Sequence, residues 1–186
     1  MVDKERRKKL AFNLRQLSVG LISNDEFENN IADDVTDGWL PEQYYRSKNA
    51  KTDDPIILPM LTLCWGLYDD TRNHKLIRGD KLTDKSLKII ARCILFLNSD
   101  QEYEWPYFDT NSPFFKFTIK EHLINTLTFG RYYHRKRKEL ELAYIEFQNF
   151  GDYEYWPFMK KVDYENQLKI TPFLNEKIKT NAQHAV

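Results

Sequence analysis

The stretch LAFNLRQLSVGLISNDEFENNIAD, Leu10 to Asp33, carries two helices and the turn between them. Leu10, Leu14, Leu17 and Leu21 recur at steps of four, three and four, one stripe of an amphipathic helix. Gly20 supplies a C-terminal stop. Ser23-Asn24-Asp25-Glu26 has the form of a capping box, with Ile22 and Phe27 placed to close a hydrophobic staple around it. The pattern predicts helices over 4–19 and 24–32, an α-hairpin spanning about 4–32.

Outward from the hairpin the same grammar continues. Residues 33–53 read as an ordered loop that packs Trp39, Tyr44 and Tyr45. Asp54-Pro55 is expected to start a helix carrying Ile57, Leu61, Cys64, Trp65 and Tyr68, with Pro59 either in its first turn or resetting its start. Thr83 caps a helix over 84–98 whose stripe is Leu87, Ile90, Ile94 and Leu97, widened by Ile89, Cys93 and Leu95; so apolar a helix belongs at the centre of the fold. Thr118 to Glu121 forms a second capping box, for a helix that runs to about 128, where Gly130 can break or kink it. A further helix is expected over 133–148, carrying Leu140, Ala143, Tyr144 and Phe147. After 160 the chain reads as a polar tail with a docking patch at Ile170, Pro172, Phe173 and Leu174, and 177–186 are expected to fray. No pair of strands emerges. The reading is one mainly α domain over 1–186, a helical bundle of five or more helices with long aromatic-rich loops.

Composition narrows the function. The chain has 28 Lys+Arg against 28 Asp+Glu, so it lacks the positive surplus of a nucleic-acid coat or a polybasic membrane binder. Aromatics at 15% are abundant, and 17 of the 27 fall between Tyr103 and Phe158, so that segment holds either the core or a sticky surface. The two cysteines, Cys64 and Cys93, sit inside apolar helical patterns and read as buried free thiols; a disulfide between them would require an oxidising compartment. MVDKERRKKL lacks the apolar region and cleavage site of a signal peptide, and no run reaches the roughly 18 apolar residues of a membrane span, so a cytoplasmic protein is expected.

Three charged segments compete as sites. The first is SDQEYEWPYFD, with Asp100, Glu102, Glu104 and Asp109 around Tyr103 and Trp105; no Lys or Arg occurs between Cys93 and Phe115. Tyr and Trp are favoured interface anchors, and carboxylates around them draw in a basic partner. The same aromatics can equally tuck into the core. At an offset of 51 residues, Ile94, Phe96, Asn98, Trp105 and Pro106 match Ile145, Phe147, Asn149, Trp156 and Pro157, which adds Asp152, Glu154 and Trp156 as a second half of one surface, unless the echo is a coincidence of two aromatic loops. The second segment is an acidic tract from Gln16 to Tyr45, with seven acids and no base. The third is the basic run Arg131 to Lys138, which interleaves Tyr132 and Tyr133; it reads as a solvated helix face or, alternatively, as a nucleic-acid contact.

Catalytic motifs are lacking: no HExxH, no CxxC, no GxSxG, no Walker A and no GxGxxG, so no cofactor and no metal ligand set is expected. An enzyme whose site is assembled only in the fold stays an open alternative.

WGLYDD (65–70), ARCILFLNSDQEYEWP (91–106) and the SNDEF turn resemble a group of small uncharacterised bacterial proteins over roughly residues 10 to 106. The resemblance carries no activity and no functional residue. In general style, helical, aromatic-rich and acid-faced, the chain is similar to immunity proteins that neutralise bacterial toxins. That similarity of type implies a non-enzymatic, toxin-inhibiting antitoxin with a basic protein partner, a nuclease domain in the clearest case; the contact residues expected from the acidic aromatic segments themselves are Asp100, Glu102, Tyr103, Glu104, Trp105, Asp109, Asp152, Glu154 and Trp156.

Overall fold

The hairpin forms as its capping signals require. In the computed structural model, which describes residues 1–106 and 119–170, α1 is Lys4–Ser18 and α2 is Asn24–Asp34. Gly20 sits at φ 72°, the left-handed position that ends α1; the Gly20 N–H bonds Leu17 O at 2.9 Å and the Leu21 N–H bonds Gln16 O at 3.0 Å, a Schellman motif. This turn swings Leu21 out of the stripe, so it is exposed while Leu10, Leu14 and Leu17 are buried. At the start of α2, Ser23 Oγ accepts from Glu26 N–H at 3.3 Å and Glu26 Oε2 accepts from Ser23 N–H at 2.8 Å, closing the capping box.

Two short helices, α3 (Pro41–Tyr44) and α4 (Asn49–Thr52), occupy the stretch expected as an ordered loop. Helix α5 is Ile57–Trp65, with Pro59 in its first turn. Asp54 does not cap it through a close side-chain bond: its carboxylate is taken by Arg7, and the Ile56 N–H stands at 3.4 Å. Helix α6, Asp84–Leu97, is capped by Thr83, which accepts from Ser86 N–H at 3.1 Å. It is the central helix. Ile90, Cys93, Ile94, Leu95, Phe96 and Leu97 are all buried, and α1 packs along it. Each fully buried Leu or Ile contributes about 1.5–3 kcal/mol relative to exposure, so this contact dominates the assembly.

Helix α7 is Ile119–Leu127 and α8 is Arg131–Gln148, separated by Gly130 at φ 82°. Helix α8 begins two residues earlier than the expected 133, because the left-handed Gly130 resets the chain at once. No residue of α8 is buried; it packs on α7 and reaches the core only at its C-terminal end. The last described helix, α9 (Lys161–Ile170), replaces the polar tail expected from the sequence: it docks on α6, with Tyr164 against Phe158 and Tyr155. Pro172, Phe173, Leu174 and 177–186 lie outside the described residues, as does Thr118 of the second capping box.

The nine helices, with one isolated bridge between Ser23 and Lys75 and no strand among the described residues, form the mainly α bundle expected. Cys64 and Cys93 are free and buried. No helix among the described residues is long and apolar enough to cross a membrane.

Candidate functional site

The acidic aromatic segment is an extended strip that follows the end of α6. From Asp100 to Trp105 its residues alternate in burial. Asp100, Glu102 and Glu104 are exposed, whereas Tyr103 is 8% and Trp105 4% exposed. That alternation is the two-residue period of extended backbone. Of the two readings left open for Tyr103 and Trp105, partner anchor or core, the structure places both side chains in the core. The Tyr103 ring meets Phe96 edge-on at 6.2 Å. Trp105 donates from Nε1 to Phe158 O at 3.3 Å and packs on Phe147 at 5.1 Å, Phe150 at 6.2 Å and Tyr153 at 6.3 Å.

The start of the strip is held by a residue that the sequence reading passed over. Arg7 is 0% exposed. Its Nε and Nη2 fork onto the Asp54 carboxylate at 2.5 and 2.9 Å, its Nη1 donates to Gln101 O at 2.8 Å and Ser99 O at 3.4 Å, and its guanidinium lies over the Phe96 ring at 5.3 Å. One planar fork therefore ties α1, the approach to α5 and the acidic strip together. The signal was present: Arg7 lies three residues before Leu10, on the backward extension of the Leu10, Leu14, Leu17 stripe.

The two halves of the internal echo end their helices alike. Asn98 N–H bonds Ile94 O after α6, and Asn149 N–H bonds Ile145 O after α8. The segments then meet. Trp156, half-buried, donates from Nε1 to the Tyr103 hydroxyl at 3.1 Å, while Trp105 packs on Tyr153. Gly151 lies so close beneath Trp105 that a Cβ there would stand 2.8 Å from Met159 O and 3.1 Å from the Trp105 ring. The acids of the second half, Asp152 and Glu154, are exposed; Asp152 Oδ2 accepts from Lys161 N–H at 2.8 Å. Asp109 lies outside the described residues.

Charges around the strip are partly met. Lys4 Nζ lies 2.7 Å from Asp100 and the N-terminal amine 3.3 Å from Glu102, both pairs well exposed and so held weakly in water. Glu104 and Glu154 face no cation among the described residues. In the acidic tract several carboxylates have local duties: Asp37 pairs with Arg6, Asp34 with Lys9, and Glu28 accepts from the Tyr68 hydroxyl. The basic run occupies the first turns of α8, where Arg135 and Arg137 pair with Glu139 and Glu141 one turn on, at 3.7 and 3.1 Å.

Among the described residues no cluster of His, Cys, Asp and Glu is arranged to hold a metal ion. The candidate site is a carboxylate strip on an interlocked aromatic footing. No protein family matches the chain, and neither a curated protein nor a solved structure matches it.

Proposed function

We propose that the protein is a protein-binding domain, most concretely an immunity or antitoxin-like protein that occludes a basic toxin domain, such as a nuclease, with the carboxylates of 100–104 and 152–154. One observation carries the reading: the aromatics of both segments interlock inward through Tyr103–Trp156 and Trp105–Tyr153, leaving Asp100, Glu102, Glu104, Asp152 and Glu154 exposed on a fixed frame. A preorganised row of acids loses little entropy on docking, and its field accelerates encounter with a basic surface. The Lys4 and N-terminal contacts are exposed pairs that a basic partner can displace. Anchorage comes from the carboxylates and from the half-buried Trp156 edge, with Tyr103 and Trp105 supporting from behind.

The test is affinity capture on the full chain, identification of the partner, and measurement of its association rate across ionic strength. Glu102→Lys with Glu104→Lys, both exposed, is expected to slow association about tenfold or more at low salt, the difference shrinking as salt screens the field. Unchanged association rates would remove this strip from the interface and the proposal with it.

A further inference from the structure

A cavity of about 440 Å³ opens between α5, α6 and the C-terminal end of α8. This volume is in the range of small-molecule sites. Helix α5 lines it with Pro59 and Leu63, α6 with Ile89, and Tyr103, Phe147 and Trp156 add aromatic wall. Among the described residues one charged residue lines it, Arg92, and no carboxylate does.

Arg92 is the odd residue of α6, a guanidinium inside the apolar run KIIARCILFL. Its Nε donates to Trp156 O at 2.6 Å, which orients the group; among the described residues no further hydrogen bond engages the terminal nitrogens and no acid lies within ion-pair distance of them. On the other side of Trp156, the Tyr103 hydroxyl accepts from Nε1 and retains its own hydrogen. Burial pushes the Tyr103 phenol up, so it stays a donor through the whole physiological range. Two donor groups thus engage one residue, Arg92 at the Trp156 carbonyl and Tyr103 at its indole nitrogen, and all three line the cavity.

We propose that this cavity binds a small aromatic monocarboxylate, its ring system against Phe147, Trp156 and the aliphatic wall, its carboxylate accepting from Arg92 and Tyr103. The single positive charge selects the class. A monoanion neutralises Arg92, whereas a phosphate dianion would carry an uncompensated charge into an apolar cavity, and a neutral ring would leave the guanidinium without a counter-charge. The lining excludes Glu102, Glu104, Asp152 and Glu154 but shares Tyr103 and Trp156 with the footing of the carboxylate strip, and a titration without a protein partner reads the cavity alone.

Calorimetric titration of the full chain with 2-naphthoate and with 2-naphthamide tests it. The acid is expected to bind about tenfold or more tightly than the amide. Arg92→Gln should bring the two affinities together, Arg92→Lys should retain part of the preference, and Ile89→Trp, which fills the cavity, should abolish both. Should Arg92→Gln not fold, the acid-to-amide ratio of the wild type together with Ile89→Trp decides. No binding of the acid, equal binding of acid and amide, or binding that survives Ile89→Trp overturns the proposal.

Discussion

Replacing Arg7 by Met tests the joint that holds the helices and the acidic strip together. The substitution keeps an unbranched apolar stem and deletes the guanidinium. Four hydrogen bonds go with it: two to Asp54, one to Ser99 O and one to Gln101 O, along with the stacking on Phe96. Asp54, whose side chain is 0% exposed, is left with the N–H groups of Asp3 at 2.9 Å and Ile56 at 3.4 Å. Removing one member of a buried ion pair costs about 3–5 kcal/mol, because the survivor's charge stays desolvated. Against a total stability of about 5–15 kcal/mol, that loss brings the chain near its unfolding threshold. Urea unfolding followed by tryptophan fluorescence and circular dichroism measures it. The companion is Arg7→Met with Asp54→Asn, which removes the orphaned charge and keeps one acceptor oxygen, enough for the closer Asp3 N–H but not for the Ile56 N–H on the other oxygen; a coupling of about 2 kcal/mol between the two changes is expected. An Arg7→Met cost under about 1 kcal/mol, or costs that simply add, refutes the role assigned to the pair.

Two further outcomes follow from burial. Trp105→Ala should cost about 3–5 kcal/mol in urea unfolding, the loss typical of a large aromatic in the core, and a near-neutral change would return Trp105 to the surface. Burial pushes the Cys93 thiol up to about 12 and raises Cys64 as well, whereas unfolded thiols titrate near about 8.5. The folded chain therefore retains protons that the unfolded chain releases above that pH: the thiols' contribution to stability is complete below about 8.5 and is lost as pH climbs toward 12. The urea midpoint should fall between pH 7.5 and 10.5, and a thiol reagent at pH 8 should label the native chain only at its opening rate; a rising midpoint or immediate labelling contradicts this.

The acidic strip shows how a site can be half legible. The spelling DQEYEW already holds a two-residue alternation of acid and aromatic, which on an extended backbone puts acids on one side and rings on the other. Alternation does not say which side faces the protein. The answer came from α8 and the segment after it, which bring Phe147, Phe150 and Tyr153 onto Trp105. Arg92 is a similar case: a base inside the apolar second half of α6 is visible in the chain, but its place in the lining of a cavity depends on where Trp156 folds back. Helix α9 was missed because its sequence, KVDYENQLKI, is nearly polar all round, and its position follows from docking on α6 rather than from a stripe of its own.

By itself the sequence determined the α class, the hairpin with its Schellman turn and capping box, the Thr83 cap and the centrality of α6. Each of these is an interaction between residues within about one turn of one another, or a stripe repeated along one helix, so its energy is written in local spacing. Only the tertiary structure decided the rest. Arg7 finds Asp54 across 47 residues, Trp105 finds the Phe158 carbonyl across 53, and Trp156 finds the Tyr103 hydroxyl across the same distance. A charged run such as KERRKK reads as solvated because burial of one arginine depends on a carboxylate and two carbonyls supplied from elsewhere. The desolvation of that charge is unfavourable alone and becomes tolerable only when packing delivers all its partners together, and no spacing along the chain records that condition.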